Sequence, residues 1–477
     1  MSAIVSSPPR DRAVFLNEGV PPTGLRGAAP TSDARVPWRI SPQPFPLRPE
    51  TVARLSTLGD DLLAFYRAAN RLYHDSAHGH APAWVHEYLD QGKGDRVREL
   101  GLLRRYRTHV PLLLRPDLMA LEDGTFRATE LDSIPGGFGS LAAFSQRYAA
   151  LGFDLIGGPH GLVDGFAAAL RHLAGKDDAM VAIVVSDEAK DYRAEMAEMA
   201  AALRARGLRA VQAHPRDVGL QGNCVCIETD EGRHAVDVLY RFFELSDLPN
   251  IPRMDLIVYA MKHRLVAVTP PFKAYLEEKA LMALFHHPAL REMWVEMLGA
   301  EAQARLAGVF PLTWILDPRP IPPHAAITPP LVTADQAIRR WSDLLGLSQK
   351  QRRLVLKPSG FSELAWGSRG VVVGHDVRTE VWDRAVGDAL AGYAKTPYVI
   401  QPYHQSRRVA VDYFDFESDT VRALDGRARV SPYYFVAGDR ATLAGVLVTV
   451  VPAANKTIHG TPEAVLAPAM VAPEAVI

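Results

Sequence analysis

The segment RATELDSIPGGFG, residues 127–139, carries two carboxylates two positions apart, followed at once by a proline and two glycines. Upstream lie the apolar run LLLRPDLMAL and the turn residues EDG. Because Asp-Gly between two such runs is a strong hairpin signal, the stretch predicts two antiparallel strands that end at this turn. Residues i and i+2 of a strand share a face, so Glu130 and Asp132 point the same way, and the EDG turn brings Asp117 across from them.

Three carboxylates on one patch are unfavourable unless a cation or protons neutralise them. A hard divalent ion with oxygen ligands is the natural partner, and Mg²⁺ also keeps waters and substrate phosphates around it. We therefore expect Asp117, Glu130 and Asp132 to be metal ligands. Arg115 shares the face of Asp117 and is a candidate for holding a transferring phosphoryl group. The alternative is a solvated hairpin face whose charges never meet.

The composition is that of an ordinary globular chain. It has 477 residues, of which 48% are hydrophobic and 22% charged, with a formal net charge of −1, and this length suits two or three packed subdomains. The near-zero charge offers no broad basic surface, so nucleic-acid binding is disfavoured. The apolar runs are too short and interrupted to span a bilayer. Two cysteines, Cys224 and Cys226, suit a reducing compartment, and we expect a cytoplasmic location.

The pattern along the chain divides it into four segments. Residues 1–45 are rich in Pro, Ser, Ala and Arg and predict a disordered arm. Residues 46–160 combine a helical segment with the carboxylate hairpin. Residues 161–270 alternate strand, helix and strand, which indicates an α/β unit with a right-handed parallel crossover. Residues 271–477 begin with helices and continue as a largely β part, so the predicted class is α/β or α+β.

Residues 354–373 predict a strand, a loop and a returning strand. Lys357 ends the apolar strand and would offer phosphates a point charge. The loop after it is rich in glycine and serine, and its exposed backbone N–H groups could cover a polyphosphate. The loop residues that we expect at a nucleotide are Ser359, Gly360, Ser362, Gly367, Arg369 and Gly370. The alternative is a strand-end lysine on the surface.

Gln401 could add a contact to a nucleotide, whereas the residues around Lys279 do not single that lysine out. Gln401 ends a short strand, and an edge-strand amide offers the donor and the acceptor that an adenine edge needs, with Tyr403 close behind. Lys279 lies on a helix in YLEEKALMALF. The alternatives are a strand entering a polar turn for Gln401 and a solvated helix lysine for Lys279.

Weaker signals concern the substrates. The turn at Ser133, Gly136 and Gly137 could bind an acceptor carboxylate through its backbone, or it is a plain turn into the next helix. Arg241 and Arg408 could each hold an anionic substrate, although surface charge is the simpler explanation for each alone.

Two polar stretches are open to more than one interpretation. HDSAHGH contains His74, His78 and His80, which form a metal cluster or, without a carboxylate or cysteine beside them, are loop histidines. NKTIHGT contains Lys456 and His459 after an apolar strand, and it could reach an active site or form a solvated turn.

Together these stretches resemble the ATP-grasp superfamily, in particular the circularly permuted group that includes glutathionylspermidine synthetases and related amide ligases. The motifs run in order from about residue 100 to 410. They are Arg115-Pro-Asp117, Glu130-Leu-Asp132-Ser-Ile-Pro135, Glu278-Lys279-Ala280-Leu281-Met282, His287-Pro288-Ala289-Leu290, Lys357-Pro358 with Arg369-Gly370, and Ile400-Gln401-Pro402. Asp132 departs from the family, which usually has Asn there. Conventional ATP-grasp enzymes have the metal carboxylates after the two lysines, so this order argues for permutation.

The resemblance implies a circularly permuted ATP-grasp fold with a Rossmann-like subdomain at residues 161–270. It implies an ADP-forming ligase that uses ATP to join a small-molecule carboxylate to an amine through an acyl phosphate. Lys279 and Lys357 would hold the ATP phosphates, Gln401 the adenine, and the three carboxylates Mg²⁺. Arg115 would stabilise the transferring group.

The loop at residues 359–370 would close over such a site to exclude water, which otherwise hydrolyses an acyl phosphate. Two other functions stay open: a non-catalytic nucleotide-binding or scaffold protein with this fold, and a phosphotransferase that stops at a phosphorylated product. The expected partners are small molecules, without nucleic acid or membrane. The oligomeric state is open, a homodimer being one option.

Overall fold

The computed structural model of the chain describes residues 7–18, 39–132, 134–229, 232–320, 326–334, 336–458 and 463–472. The fold is mixed α/β with several sheets. The described α-helices are α1 (Pro9–Glu18), α2 (Pro49–Ala77), α3 (Trp84–Asp90), α4 (Asp95–Gly101), α5 (Phe138–Ala150), α6 (Gly161–Ala174), α7 (Arg193–Ala205), α8 (Met254–Lys262), α9 (Ala280–His286), α10 (Arg291–Leu298), α11 (Ala300–Val309) and α12 (Thr379–Ala391). None of these helices combines the length and the apolar character that crossing a membrane requires.

The described strands fall into five sheets. They are β1 (Arg39–Ile40), β2 (Phe45–Leu47), β3 (Leu113–Ala120), β4 (Phe126–Asp132), β5 (Met180–Val185), β6 (Arg209–Ala213), β7 (Val218–Gln221), β8 (Cys224–Thr229), β9 (Gly232–Ala235), β10 (Val238–Phe242), β11 (Ala267–Thr269), β12 (Trp314–Ile315), β13 (Leu331–Thr333), β14 (Gln336–Ile338), β15 (Leu354–Pro358), β16 (Val372–Val373), β17 (Tyr398–Pro402), β18 (Arg408–Asp415), β19 (Thr420–Ala437), β20 (Arg440–Pro452) and β21 (Val465–Val471).

The main sheet carries the predicted hairpin. Its described strands run in the order β1-β21-β20-β19-β3-β4, with β18 also paired to β19 and β2 to β21. Strands β3 and β4 are antiparallel, and their register sets Arg115 opposite Asp132 and Asp117 opposite Glu130. The hairpin predicted from the Asp-Gly turn is therefore confirmed, and its four charged residues share one face.

A smaller antiparallel sheet runs in the order β12-β17-β15-β16, and we call it the lysine sheet. Strand β15 contains Lys357 and the neighbouring β17 contains Gln401. The predicted strand, loop and returning strand are present as β15, the loop and β16. The expectation that Gln401 lies on an edge strand is wrong, since β17 has β12 on one side and β15 on the other.

Residues 161–270 contain a four-stranded sheet, β11-β10-β5-β6, which is parallel throughout. All residues of β5 are buried, as expected for a parallel strand covered on both faces. Helix α7 connects β5 to β6, so the predicted strand–helix–strand unit with parallel pairing is present. The antiparallel sheet β7-β8-β9 is inserted before β10, and its strand β8 contains Cys224, which is exposed, and Cys226, which is buried.

Helix α2 packs against both the main sheet and helices α9–α11. Its apolar periodicity predicts a helix from Pro49, and the structure has one at Pro49–Ala77. In the core between these elements, the ring of Phe65 lies 4.8 Å from that of Phe310 and 5.5 Å from that of Trp294, measured between centroids. Since α9 begins directly after Lys279, this packing fixes the position of that lysine relative to the main sheet.

The N-terminal arm is more ordered than its composition predicts. Residues 9–18 form helix α1, in which Ala13 and Leu16 are fully buried. Strands β1 and β2 both pair in parallel with β21. The prediction of a disordered arm over residues 1–45 is therefore wrong for the described parts. A few apolar side chains and an available strand edge order segments whose average composition is polar.

Candidate active site

A cleft of about 870 Å³, counted with its open mouth, lies between the main sheet and the lysine sheet. Five of the residues predicted for a nucleotide or metal site line it: Glu130, Lys279, Lys357, Gln401 and Tyr403. They come from β4, the start of α9, β15 and the end of β17, which are far apart in the chain. The structure therefore brings together residues that the sequence only suggested one by one.

Two lysines and one carboxylate meet in this cleft. Lys279 Nζ lies 3.4 Å from Glu130 Oε2, and Lys357 Nζ donates a hydrogen bond to the Thr129 carbonyl at 3.0 Å. Burial lowers the pKa of Lys357 to about 8, against the opposing effect of Glu130. Burial alone would raise the pKa of Glu130, but Lys279, Arg115 and Lys357 together lower it to about 2. The Glu130 carboxylate is therefore ionised at any physiological pH.

The cleft also contains basic side chains outside the motifs of the resemblance. Arg429 of β19 and His404 beyond β17 line it, and so does Lys456 of NKTIHGT, a stretch for which a place at an active site was one of two alternatives. Arg429 reaches the cleft because β19 pairs with β3, which places it opposite Met119. A single arginine in a long strand gives no signal in the sequence, because its position depends on pairing with a distant strand.

Asp117 is fully buried and faces protein cations. Its carboxylate lies 3.1 Å from Arg115 Nε and 3.0 Å from Arg429 Nη1, and it accepts a hydrogen bond from Ser431 Oγ at 2.8 Å. Arg115 also forms an ion pair with Asp132 at 2.8 Å. The Arg115 guanidinium thus lies between two of the carboxylates that were expected to share a metal ion.

The three carboxylates lie on one face of the hairpin, as predicted, but they are not arranged as a metal site. Among the residues that the structure describes, no group of three His, Cys, Asp or Glu side chains is arranged to hold a metal ion, and this includes HDSAHGH. The side chains of Glu130 and Asp132 remain 34% and 28% exposed, whereas that of Asp117 is fully enclosed. Burial raises the pKa of Asp132 despite the opposing charge of Arg115. Like charges do require neutralisation here, and Arg115 and Arg429 supply it.

The first residues of the 359–370 loop bind protein groups. Ser359 Oγ donates a hydrogen bond to the Glu278 carboxylate, and the Gly360 N–H donates to the same carboxylate at 3.1 Å. Neither residue lines the cleft. The phosphate contacts expected of Ser359 and Gly360 are corrected accordingly, because their donors are already bound to a buried carboxylate.

The remainder of the loop bonds largely within itself. Ser362 Oγ accepts from a backbone N–H two residues further on at 3.2 Å, and the Gly370 N–H donates to a carbonyl of the loop at 2.9 Å. Arg369 is exposed and does not line the cleft, whereas Ala365 does. The surroundings of Gly367 lie outside the described part of the chain.

The Gln401 side chain is buried, and its amide nitrogen is bound to the protein. Its Nε2 donates to Thr313 Oγ1 at 3.0 Å. The ring of Tyr403, whose centroid lies 4.4 Å from that of His375, lines the cleft with Val355. This part of the cleft is therefore partly apolar, and the amide nitrogen of Gln401 is already bound to the protein.

A carboxylate of the chain itself occupies the turn predicted to bind a substrate carboxylate. Glu195 of α7 accepts from the Gly137 and Gly139 N–H groups at 2.8 and 3.0 Å and from Ser140 Oγ at 3.1 Å. Burial raises the pKa of Glu195 to about 7, although these hydrogen bonds oppose the shift. The Gly136 carbonyl is likewise bound, by two side chains. The prediction for Gly137 is corrected because Glu195 already accepts from its N–H, and Gly136 is engaged through its carbonyl, which cannot donate to a carboxylate.

The two arginines predicted for an anionic substrate are not brought to the cleft. Arg241 is fully buried in β10, and its guanidinium donates to three backbone carbonyls at 2.8–3.0 Å. Arg408 is exposed on β18 and donates to Asp425 at 3.1 Å. This corrects both expectations, since one strand lies in the interior and the other on the surface. Ser133 and His459 lie outside the residues that the structure describes.

Comparison with known proteins gives matches at the level of structure. No protein-family model matches the chain, and no curated protein matches its sequence significantly. A glutathione synthetase-like effector (GSS30) from Globodera pallida, solved in its apo form, matches 98% of this chain and 99% of its own with a TM-score of 0.55 and 12% identity. A proposed γ-glutamylcysteine synthetase from Methylobacillus flagellatus KT matches 80% of this chain and 84% of its own with a TM-score of 0.41 and 12% identity.

The likeness to the glutathione synthetase-like effector extends over the whole length of both chains and shows a shared fold. At 12% identity the likeness concerns the fold alone and carries no substrate with it.

Proposed function

We propose that the chain is an ATP-dependent, ADP-forming ligase that joins a small-molecule carboxylate to an amine through an acyl phosphate. The observation that carries the proposal is the cleft, where Glu130, Lys279, Lys357 and Gln401 meet from four distant segments. Each of these residues belongs to a separate motif of the resemblance. Motifs that converge on one concave, partly apolar cavity support a nucleotide site more strongly than their order in the chain does.

We further propose that the fold is the circularly permuted ATP-grasp fold of the glutathionylspermidine synthetase-like group. The carboxylate hairpin β3–β4 precedes both lysine segments in the chain, which is the permuted order. The parallel sheet β11-β10-β5-β6 would be the Rossmann-like subdomain. The fold shared with the glutathione synthetase-like effector supports a synthetase-like fold, and the chain order of the segments carries the proposal of permutation.

The basic side chains of the cleft would bind the ATP phosphates. Lys279, Lys357, Arg429 and Lys456 line it, and among the described residues there they face one carboxylate, Glu130. A cleft whose charge has one dominant sign concentrates ligands of the opposite sign, and a polyphosphate fits this one. The apolar lining would accept the adenine ring.

In this proposal Arg429 takes the role first expected of Arg115. The donors of Arg115 are directed at Asp117 and Asp132, as well as at a backbone carbonyl. Arg429 lines the cleft while it contacts Asp117 with one nitrogen. Arg429 would therefore stabilise the charge that develops on the transferring phosphoryl group, and Asp117 would orient both arginines.

A magnesium ion would arrive with the nucleotide. Glu130 is ionised and partly exposed at the cleft, and Asp132 lies two residues further along the same strand face. This donor set fits Mg²⁺, which is commonly held by one or two carboxylates and by substrate phosphates. When bound, the ion would neutralise charge on the β- and γ-phosphates. The enclosed carboxylate of Asp117 does not fit as a ligand.

The chemistry needs positioning and charge neutralisation from the chain. The substrate carboxylate attacks the γ-phosphorus and ADP leaves, and the amine nitrogen then attacks the acyl carbon and releases inorganic phosphate. Lys279 and Lys357 would hold the leaving ADP, and Arg429 the acyl phosphate. The loop at residues 359–370 would keep water from the acyl phosphate until the amine reacts.

Turnover with candidate substrates tests this function. The purified chain is incubated with ATP, Mg²⁺ and panels of acids and amines, and ADP and amide product are measured together. Glu130→Ala is expected to lower turnover by about 100-fold without unfolding the chain, because a residue at the metal contributes to activity rather than to the core. Glu122→Ala, in the exposed turn of the same hairpin, is the matched control and should behave as the wild type.

Each alternative function has its own outcome in this experiment. If the chain binds ATP but turns over no substrate pair, the result would indicate a nucleotide-binding scaffold and not a ligase. A stable phosphorylated acid without amide would replace it with a phosphotransferase. Normal activity in Glu130→Ala would remove Glu130 from the site.

A further inference from the structure

The buried carboxylate of Glu278 joins three parts of the chain. It forms an ion pair with Lys93, which lies between α3 and α4, and both side chains are only 1% exposed. It also accepts hydrogen bonds from Ser359 Oγ and from the Gly360 N–H, the latter at 3.1 Å. One carboxylate therefore satisfies an ammonium group, a hydroxyl group and a backbone donor, as a buried charge requires.

This contact joins residues that flank the two cleft lysines in the chain. Glu278 directly precedes Lys279, and Ser359 follows Lys357 by two residues. The Ser359 N–H is fixed as well, since it donates to the Pro397 carbonyl at 2.9 Å. The segments that carry the two lysines are thus tied to each other through Glu278.

The approach of the loop to the Glu278 segment is very close. A Cβ atom at Gly360 would lie 1.8 Å from the Glu277 carbonyl oxygen, so only glycine allows the two backbones to approach this closely. The Lys93 ammonium also lies 5.3 Å from the centroid of the Phe361 ring, within the range of a cation–π contact. The loop is therefore held against this segment as far as Phe361.

We propose that Glu278 is a positioning residue which, held by Lys93, anchors the base of the 359–370 loop and sets the spacing between Lys279 and Lys357. The inference rests on the proposed nucleotide site. Any closure of the loop begins after Phe361, because the residues before it are bound to Glu278. Such a closure would leave the spacing between Lys279 and Lys357 unchanged.

Paired substitutions separate anchoring from charge. Glu278→Gln keeps an oxygen that accepts from Ser359 and Gly360, and Lys93→Met removes the ammonium that would otherwise be buried without a partner. The double variant Lys93→Met/Glu278→Gln therefore loses the ion pair and keeps the anchor. The reversed pair Lys93→Glu/Glu278→Lys keeps the ion pair and loses the anchor, because an ammonium group cannot accept hydrogen bonds.

Hydrogen exchange tests the anchor without any nucleotide. Backbone amides at residues 359–362 should be protected in the wild type and in Lys93→Met/Glu278→Gln, and should exchange rapidly in the reversed pair. In steady-state assays the KM for ATP should rise about tenfold in the reversed pair and much less in the other, since each lost hydrogen bond of this kind is worth roughly that factor. Gly360→Ala displaces the loop base and leaves the ion pair intact, so its backbone amides should also lose protection. This variant tests the anchor if the reversed pair does not fold.

The outcomes are distinguishable. Equal amide protection in all of these proteins would overturn the anchor. If the reversed pair loses amide protection but its KM for ATP is unchanged, Glu278 does not set the spacing between Lys279 and Lys357. If the wild type does not bind ATP, the proposed function fails, whereas the exchange measurement still decides whether Glu278 anchors the loop.

Discussion

The carboxylates of this chain differ in what neutralises them. Glu130 is kept ionised by lysine and arginine side chains, and its pKa falls to about 2. Glu195 instead accepts from two backbone N–H groups and a serine hydroxyl, and burial raises its pKa to about 7. Glu195 therefore holds a proton at mildly acidic pH, where the same carboxyl in an unfolded chain would have released it.

Stability should depend on pH through Glu195. Its pKa rises on folding from 4.5 to about 7, so the folded chain binds more protons than the unfolded chain between these values. The stabilising contribution is complete below the unfolded pKa and is lost as the pH rises through the folded pKa. Relative to Glu195→Gln, the wild type should lose on the order of 3 kcal/mol between about pH 4.5 and pH 7.5, measured by urea unfolding.

Glu198→Gln is the matched control for this measurement, because Glu198 is exposed on the same helix, and this variant should follow the wild type. Glu195→Gln keeps an oxygen that can accept from the Gly137 and Gly139 N–H groups. Parallel curves for the wild type and Glu195→Gln would show that the proton is not bound at Glu195.

Among single residues of the site, the sequence predicts those that belong to local patterns. It misses those whose position depends on the pairing of distant strands. Lys357 ends an apolar strand and Glu130 lies two residues from another carboxylate, and both line the cleft. Arg429 belongs to no pattern and reaches the cleft through the pairing of β19 with β3. The need to neutralise the carboxylates is correct chemistry, but the sequence does not reveal that Arg429 and Arg115 provide the charge.

Helix α2 meets the main sheet at a point that leaves no room for a side chain. A Cβ atom at Gly59 would lie 2.5 Å from the Ala441 carbonyl oxygen and 2.5 Å from the Tyr434 ring. In α12, by contrast, a Cβ at Gly387 would have no neighbour within 4 Å. Close packing therefore excludes a side chain at Gly59, whereas nothing in the surroundings of Gly387 excludes one.

Alanine at the two positions should change stability in opposite directions. Gly59→Ala should lower the free energy of unfolding by about 1–3 kcal/mol, because the helix must move away from β20. Gly387→Ala should leave it unchanged or raise it by up to about 1 kcal/mol, because alanine restricts the unfolded chain and favours helix. Urea unfolding of both variants measures the difference. Equal stability of the two would mean that α2 does not pack this closely on β20.

Elements defined by local signals are predicted well. The Asp-Gly turn gives the β3–β4 hairpin, and apolar periodicity gives α2 from its first residue. Elements defined by a distant partner are predicted poorly. The position of β17 within its sheet depends on β12, and the order of the N-terminal arm depends on β21. The sequences of β17 and of the N-terminal arm contain no signal that identifies β12 or β21 as their partners.

Across the whole molecule, the cleft joins the main sheet to the lysine sheet, so a ligand bound there contacts both. Such a ligand stabilises the folded chain in proportion to the logarithm of its concentration over its dissociation constant. At 100 times that constant the stabilisation is about 2.7 kcal/mol. Mg·ATP should therefore raise the thermal midpoint of the wild type by a few degrees, as measured by calorimetry.

Lys279→Met/Lys357→Met should abolish this shift, since it removes two of the charges that would bind the phosphates. Lys350→Met, at an exposed position just before β15, should retain the shift and controls for the loss of a lysine. A full shift in the double variant would place the nucleotide outside the cleft.

The pairing of β1 and β2 with β21 has a consequence for the order of biosynthesis. Arg39 pairs with Val465, so an early segment of the chain reaches its place in the main sheet only after a very late one has been made. At ribosomal rates of about 5–20 residues per second, the early segment waits roughly 20–85 s for its partner. During that interval its backbone donors and acceptors must be satisfied by solvent or by chaperones.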